Sequence, residues 1–119
     1  MPEIPLRQRL REALPTAMKS RDRVAVAALR ATLAAIDNAE AIKPEEATRQ
    51  SLAIETLPVG VGATEAARRR LTDEDVAGIV RAEVAERESA AAAYERSGHP
   101  DRAGQLREEA QILAAHLAA

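Results

Sequence analysis

Nine basic side chains carry the strongest chemical signal in this sequence. Arg7, Arg11, Lys19, Arg21, Arg23 and Arg30 gather near the start, and Arg68, Arg69 and Arg70 form a run further on. Lys and Arg clustered this way attract phosphate, with an affinity that falls as salt rises. The formal net charge is −2, yet it is unevenly spread. Residues 1–44 hold 8 Lys+Arg against 5 Asp+Glu, and residues 45–119 hold 9 against 14. The basic end is a modest field beside those of dedicated nucleic-acid binders. Tyr94 is the only aromatic side chain, so there is no aromatic platform for stacking bases. Phosphate contact by these cations would read charge and shape.

Other candidate chemistry is weaker. Ser20 lies beside Lys19, but a serine nucleophile needs a positioned base, and none is in view; the pair reads as a turn. His99 falls in a turn and His116 near a helix C-terminus, where its charge suits the dipole. Neither has a second metal ligand at helical spacing. Glu83, Glu86, Glu108 and Glu109 could bring carboxylates between two helices. Acid–base work needs buried, perturbed carboxylates, whereas a solvated face is the plainer expectation in a chain 30% charged. Leu57-Pro58-Val59-Gly60-Val61-Gly62-Ala63 carries two glycines without the Lys-Ser/Thr or the preceding strand of a nucleotide-binding loop, and reads as a connector. With no Cys, disulfides and thiolate chemistry are excluded. No catalytic, cofactor-binding or metal-ligating residues emerge.

The elements that would position the cations are helices. Of the apolar residues 28 are Ala and 27 are larger, a composition that favours helix and close approach of helix axes over strands. Leu6, Leu10, Leu14 and Met18 recur every four residues, the stripe of an amphipathic helix. Pro15 removes a backbone bond inside that stripe, so a kink or a restarted helix is expected near Leu14. Asp22 suits the N-cap of a second helix, Arg23 to Glu40, whose Val26, Leu29, Leu33 and Ile36 share one face. The short turn Ser20-Arg21-Asp22 folds the two into an antiparallel hairpin.

Residues 42–71 read as a flexible connector with a short helix over Glu45 to Ile54. Thr72-Asp73-Glu74-Asp75 is a capping-box variant with acids on the positive end of the dipole. The helix it opens runs to about Ser97, with Val76, Val80, Val84, Arg87, Ala91 and Tyr94 as its inner stripe. Glu83 and Arg87 form a surface pair one turn apart. Gly98 suits a left-handed cap and Pro100 blocks continuation. Ala103, Leu106, Ala110, Leu113 and Leu117 then form a coiled-coil-like seam on a helix folding back.

The segment RAEVAERESAAAAYERSGHPDRAGQLREEAQILAAHL, Arg81 to Leu117, resembles the GatB/YqeY family. The resemblance rests on Arg87-Glu88-Ser89, an aromatic five residues on at Tyr94, the Gly98 turn, Asp101, Glu108-Glu109 and the closing Leu113-x-x-x-Leu117. Leu10 to Glu40 is similar to the family's opening, most closely at Ala17-Met18-Lys19 and Arg21-Asp22. The resemblance implies an all-α fold related to the tail region of the B subunit of the glutamine-dependent aminoacyl-tRNA amidotransferase. It implies an association with carbon–nitrogen ligation using glutamine as nitrogen donor. It implies tRNA, or a tRNA-amidation or aminoacylation protein, as partner. Typical members continue into a second small helical domain where this sequence has Ala118-Ala119, which weakens the carry-over of a tRNA role, and the connector is longer than usual.

The expectation is an all-α single domain over 1–119. Two antiparallel helical hairpins, about four helices in 1–41 and 72–119, are joined by the connector at 42–71. It would be a cytoplasmic, non-catalytic accessory module without cofactor. Its thin alanine-rich core points to self-association as a homo-oligomer. The alternative is a protein–protein interaction module with no tRNA link, which requires an unpaired apolar strip along Ala103 to Leu117. No apolar run reaches the length of a membrane span.

Overall fold

Local sequence sets where each helix begins and stops. A computed structural model describes residues 4–41 and 70–119. In it α1 is Leu6–Lys19, α2 Arg23–Glu40, α3 Asp73–Arg96 and α4 Pro100–Ala118. The protein is all-α. The Asp22 carboxylate accepts the Ala25 amide at 3.1 Å. Thr72 and Asp75 form the reciprocal box, Asp75 N–H to Thr72 Oγ1 at 3.0 Å and Thr72 N–H to Asp75 Oδ2 at 2.9 Å. Both cap amides that the first helical turn leaves open. Pro100 opens α4, where its missing N–H costs nothing.

Of the kink or restart expected at Pro15, the restart does not occur: α1 continues through the proline. Pro15 lies on an exposed face of α1, as does Arg11, whose carbonyl loses its amide partner. That exposure removes most of the cost of a buried break.

Both turns use the same cap with different residues. After α3, Gly98 N–H donates to the Glu95 carbonyl at 3.2 Å and His99 N–H to the Tyr94 carbonyl at 2.8 Å. Gly98 has φ 83°. After α1, Arg21 N–H donates to Met18 at 3.2 Å and Asp22 N–H to Ala17 at 3.0 Å. Here the left-handed residue is Arg21, with φ 59°. An L-residue pays steric strain in that conformation that glycine avoids.

The pairings across each turn establish two antiparallel hairpins. Arg7 near the start of α1 meets Asp37 and Glu40 near the end of α2, while Met18 meets Arg30 close to the turn. In the second hairpin Arg107 meets Glu95 near the turn and Arg87 meets Glu109 further down. The hairpins pack together, each helix touching the other three. Leu10, Leu29, Ile36, Val80 and Leu113 are fully buried at their junction. Burying an aliphatic side chain of this size contributes roughly 1.5–3 kcal/mol. Ala17, Ala25 and Ala28 let the axes approach between them. A smaller cluster of Ala91, Ala103 and Leu106 lies nearer the second turn.

Of the seam on α4, Ala103, Leu106, Ala110 and Leu113 are buried and Leu117 packs partly buried against the main core. The strip that the protein–protein alternative requires is covered from within. Tyr94 departs from its inner stripe: it is 39% exposed. Its ring meets the edge of His99 at 6.0 Å, and the Arg102 guanidinium lies 5.9 Å from its centroid. The expected connector lies outside the described residues except Arg70 and Leu71, and Leu71 packs against the core.

Candidate functional site

The cations of the sequence divide into three groups once folded. Arg7 is mostly covered, and Nη2 donates to Asp37 Oδ1 and Glu40 Oε2, each at 2.7 Å. Its pKa is raised, chiefly by the hydrogen bond to Glu40 with help from Asp37, against the opposing effect of burial. Arg7 therefore ties α1 to α2. Arg11 is exposed beside it, but the shallow depression they share also contains Asp37 and Glu40. Those carboxylates repel phosphate there.

Lys19, Arg21, Arg23 and Arg30 form the second group, around the first turn. All four are exposed, and none forms an ion pair with another described residue. The nearest acid in sequence, Asp22, is engaged as the α2 cap. Helical geometry brings Arg23, Ala27 and Arg30 onto one outward face of α2, and all three are exposed. Arg30 Nη2 lies 3.8 Å from Met18 Sδ. Arg21, Arg23 and Arg30 rim a shallow groove of about 630 Å³ floored by Met18, Val26 and Ala27. Three other depressions each include carboxylates, from Asp37 and Glu40, from Asp73 and Glu74, and from Asp22 and Glu108. In the third group Arg68 and Arg69 lie outside the described residues, and Arg70 is exposed just before α3.

Two features of this surface were not anticipated. Met18, read as part of the inner stripe of α1, is 49% exposed. Arg21 occupies a left-handed conformation, and strained backbone of that kind concentrates at functional sites. The second had a signal: a three-residue turn that caps a helix calls for a left-handed residue, and Ser20-Arg21-Asp22 contains no glycine.

Of the four carboxylates expected on a solvated face, Glu83 and Glu109 depart from that expectation. Glu109 is 5% exposed and accepts from Arg87 Nε at 3.0 Å. Glu83, also largely covered, accepts from Arg87 Nη1 at 3.0 Å, and the same nitrogen reaches the Glu83 carbonyl at 3.1 Å. The Glu83–Arg87 pair expected at the surface is thus half of a buried triad. Buried ion pairs contribute little net stability, and their best attested use is fixing register. An alanine seam slips readily because neighbouring turns look alike, and a slipped register would strand Glu109 without its cation. Glu86 and Glu108 are exposed. The triad joins Arg87 of the Arg-Glu-Ser segment to Glu109 of the Glu-rich helix, so part of the recognisable pattern is architectural.

Neither histidine is placed for catalysis. His99 is exposed, with Nδ1 3.1 Å from Ser97 Oγ. His116 has a lowered pKa, first from burial and then from the charge of Arg9. Arg9 Nη2 donates to the His116 carbonyl at 2.9 Å. Ser20 Oγ donates to the Ala17 carbonyl at 3.2 Å and serves the turn. Among the described residues no group of His, Asp and Glu is placed to hold a metal ion, and no helix is long and apolar enough to cross a membrane.

Comparison with known proteins matches residues 7–119 to a family model described as Yqey-like protein. No curated protein and no solved structure matches the chain.

Proposed function

Because the chain belongs to the YqeY-like protein family, we propose that it is a non-catalytic accessory module that contacts the phosphate backbone of tRNA through its first helical turn. One observation carries this: Lys19, Arg21, Arg23 and Arg30 converge there without ion-pair partners among the described residues. Arg7, Arg81, Arg87 and Arg107 are each held by carboxylates elsewhere. Free surface cations release condensed counterions when they meet phosphate, and the affinity follows salt accordingly. The resemblance to proteins related to the amidotransferase B-subunit tail supports tRNA as the nucleic acid and the tRNA-amidation machinery as the setting.

The test is a gel-shift or anisotropy titration with tRNA across a salt series. Engagement of all four cations gives a slope of log affinity against log salt of about −3. Changing Arg21 and Arg23 together to Ala weakens binding and flattens the slope by about 1.5 to 2. Absence of any tRNA complex at low salt rejects the proposal.

A further inference from the structure

Phosphate contact accounts for the guanidinium groups at the first turn and leaves the floor between them unexplained. Met18 is 49% exposed there, with Val26 and Ala27 beside it. No carboxylate lines this open groove of about 630 Å³. An RNA duplex presents phosphates, sugars and 2′-hydroxyls to a shallow protein surface, with base faces stacked out of reach. Such a ligand gains nothing from a thioether and a valine under the cations. An unpaired nucleotide presents its phosphate and the face of its base together.

The groove supplies complementary groups for both. Guanidinium planes stack on bases as well as pairing with phosphate. The methionine sulfur is polarisable and makes favourable contacts with aromatic rings. Arg30 Nη2 already lies 3.8 Å from Met18 Sδ, so a cation and an apolar surface share one edge of the groove. We propose that this groove takes an unpaired stretch of RNA, with one base lying on Met18 and Val26 and the flanking phosphates held by Arg21, Arg23 and Arg30. The inference rests on the RNA reading above and names the part of the RNA that is recognised.

Anisotropy with the full chain separates the two. The probes are a labelled single-stranded uridine-rich RNA of ten nucleotides, a duplex RNA of the same length, and an acidic amphipathic helical peptide. Met18→Gln keeps the length of an exposed side chain while making the floor polar. The expected result is tighter binding of the single strand than of the duplex. Met18→Gln should weaken the single strand about fivefold, within the range of a thioether sulfur against an aromatic ring, and leave the duplex unchanged. Arg23→Ala should weaken both. Equal affinity for strand and duplex with Met18→Gln silent overturns this inference while the RNA reading stands. Binding of neither RNA overturns this inference, and absence of a tRNA complex as well overturns both. Binding of the peptide alone, lost in Met18→Gln, reassigns the groove to a protein partner.

Discussion

Arg21→Gly should make the protein more stable while removing a phosphate contact. Arg21 sits at φ 59°, where an L-residue carries roughly 1–2 kcal/mol of strain. Glycine adopts that conformation without the clash, but its freer unfolded chain takes back about 0.4–1 kcal/mol. The side chain is exposed and makes no ion pair with a described residue, so little else is lost. The net gain is about 0.5–1 kcal/mol, a rise in Tm of about 2–4 °C for a chain of this size. Thermal and urea unfolding followed by far-ultraviolet circular dichroism measure it. Gly98→Ala is the mirror control. Gly98 has φ 83°, and a Cβ added there meets no atom within 4 Å, so only the backbone term operates and the variant should lose about 1 kcal/mol. An unchanged or lowered Tm for Arg21→Gly refutes the strain assignment. If Arg21 is retained for its side chain, the more stable variant should also bind tRNA less tightly. A variant that gained stability and kept full affinity would make Arg21 a passive turn residue.

Thr72→Ala removes one arm of the capping box at the start of α3 and should cost about 1 kcal/mol in urea unfolding. Arg87→Ala leaves Glu83 and Glu109 covered without their cation and should cost about 3 kcal/mol, whereas Arg87→Met with both Glu83→Leu and Glu109→Leu should recover most of the loss. A mild single variant would show that the triad is wetter than its geometry implies. The depressed pKa of His116 predicts a pH dependence of definite sign. Above the ordinary value of 6.5 the ring is neutral in both folded and unfolded chains, and its contribution is complete. As pH falls through 6.5 towards the lower folded value, the unfolded chain takes up its proton first and stability drops. His116→Gln should remove that drop, so a wild-type-minus-variant Tm difference that stays flat between about pH 5 and 8 would count against it.

Features fixed by neighbouring residues were legible in the sequence. Asp22, Thr72-Asp75, Gly98 and Pro100 all act where their spacing placed them, because a cap reaches only three or four residues. The α4 seam was legible for the same reason, as period and burial coincide. The Glu83–Arg87 pair one turn apart was legible too, but the partners of charges across a turn were not. Arg7 meets Asp37 and Glu40, and Arg87 meets Glu109, across turns of unknown register. In so charged a chain the sequence offers each arginine several equivalent acids. The candidate site was legible in part: its four cations were named, but that Asp37 and Glu40 take Arg7 and leave these four without an ion pair to a described residue depends on tertiary pairing. The exposure of Met18 was hidden because a four-residue stripe drifts around a helix of 3.6 residues per turn. Its last member had left the buried face.

The buried triad also divides the long hairpin. Arg87 lies between Val80 and Ala91 along α3, and Glu109 between Leu106 and Leu113 along α4. Polar groups thus separate the main core from the small alanine cluster towards the second turn. The outer cluster has little apolar area to lose on opening, and the main core keeps its own contacts when it does. Amide hydrogens around Ala91 and Ala103 should therefore exchange through local breathing of the hairpin end, and those around Val80 and Leu113 only when the whole molecule unfolds. Hydrogen exchange would then resolve one hairpin into two units of cooperativity, divided at the Arg87–Glu109 salt bridge.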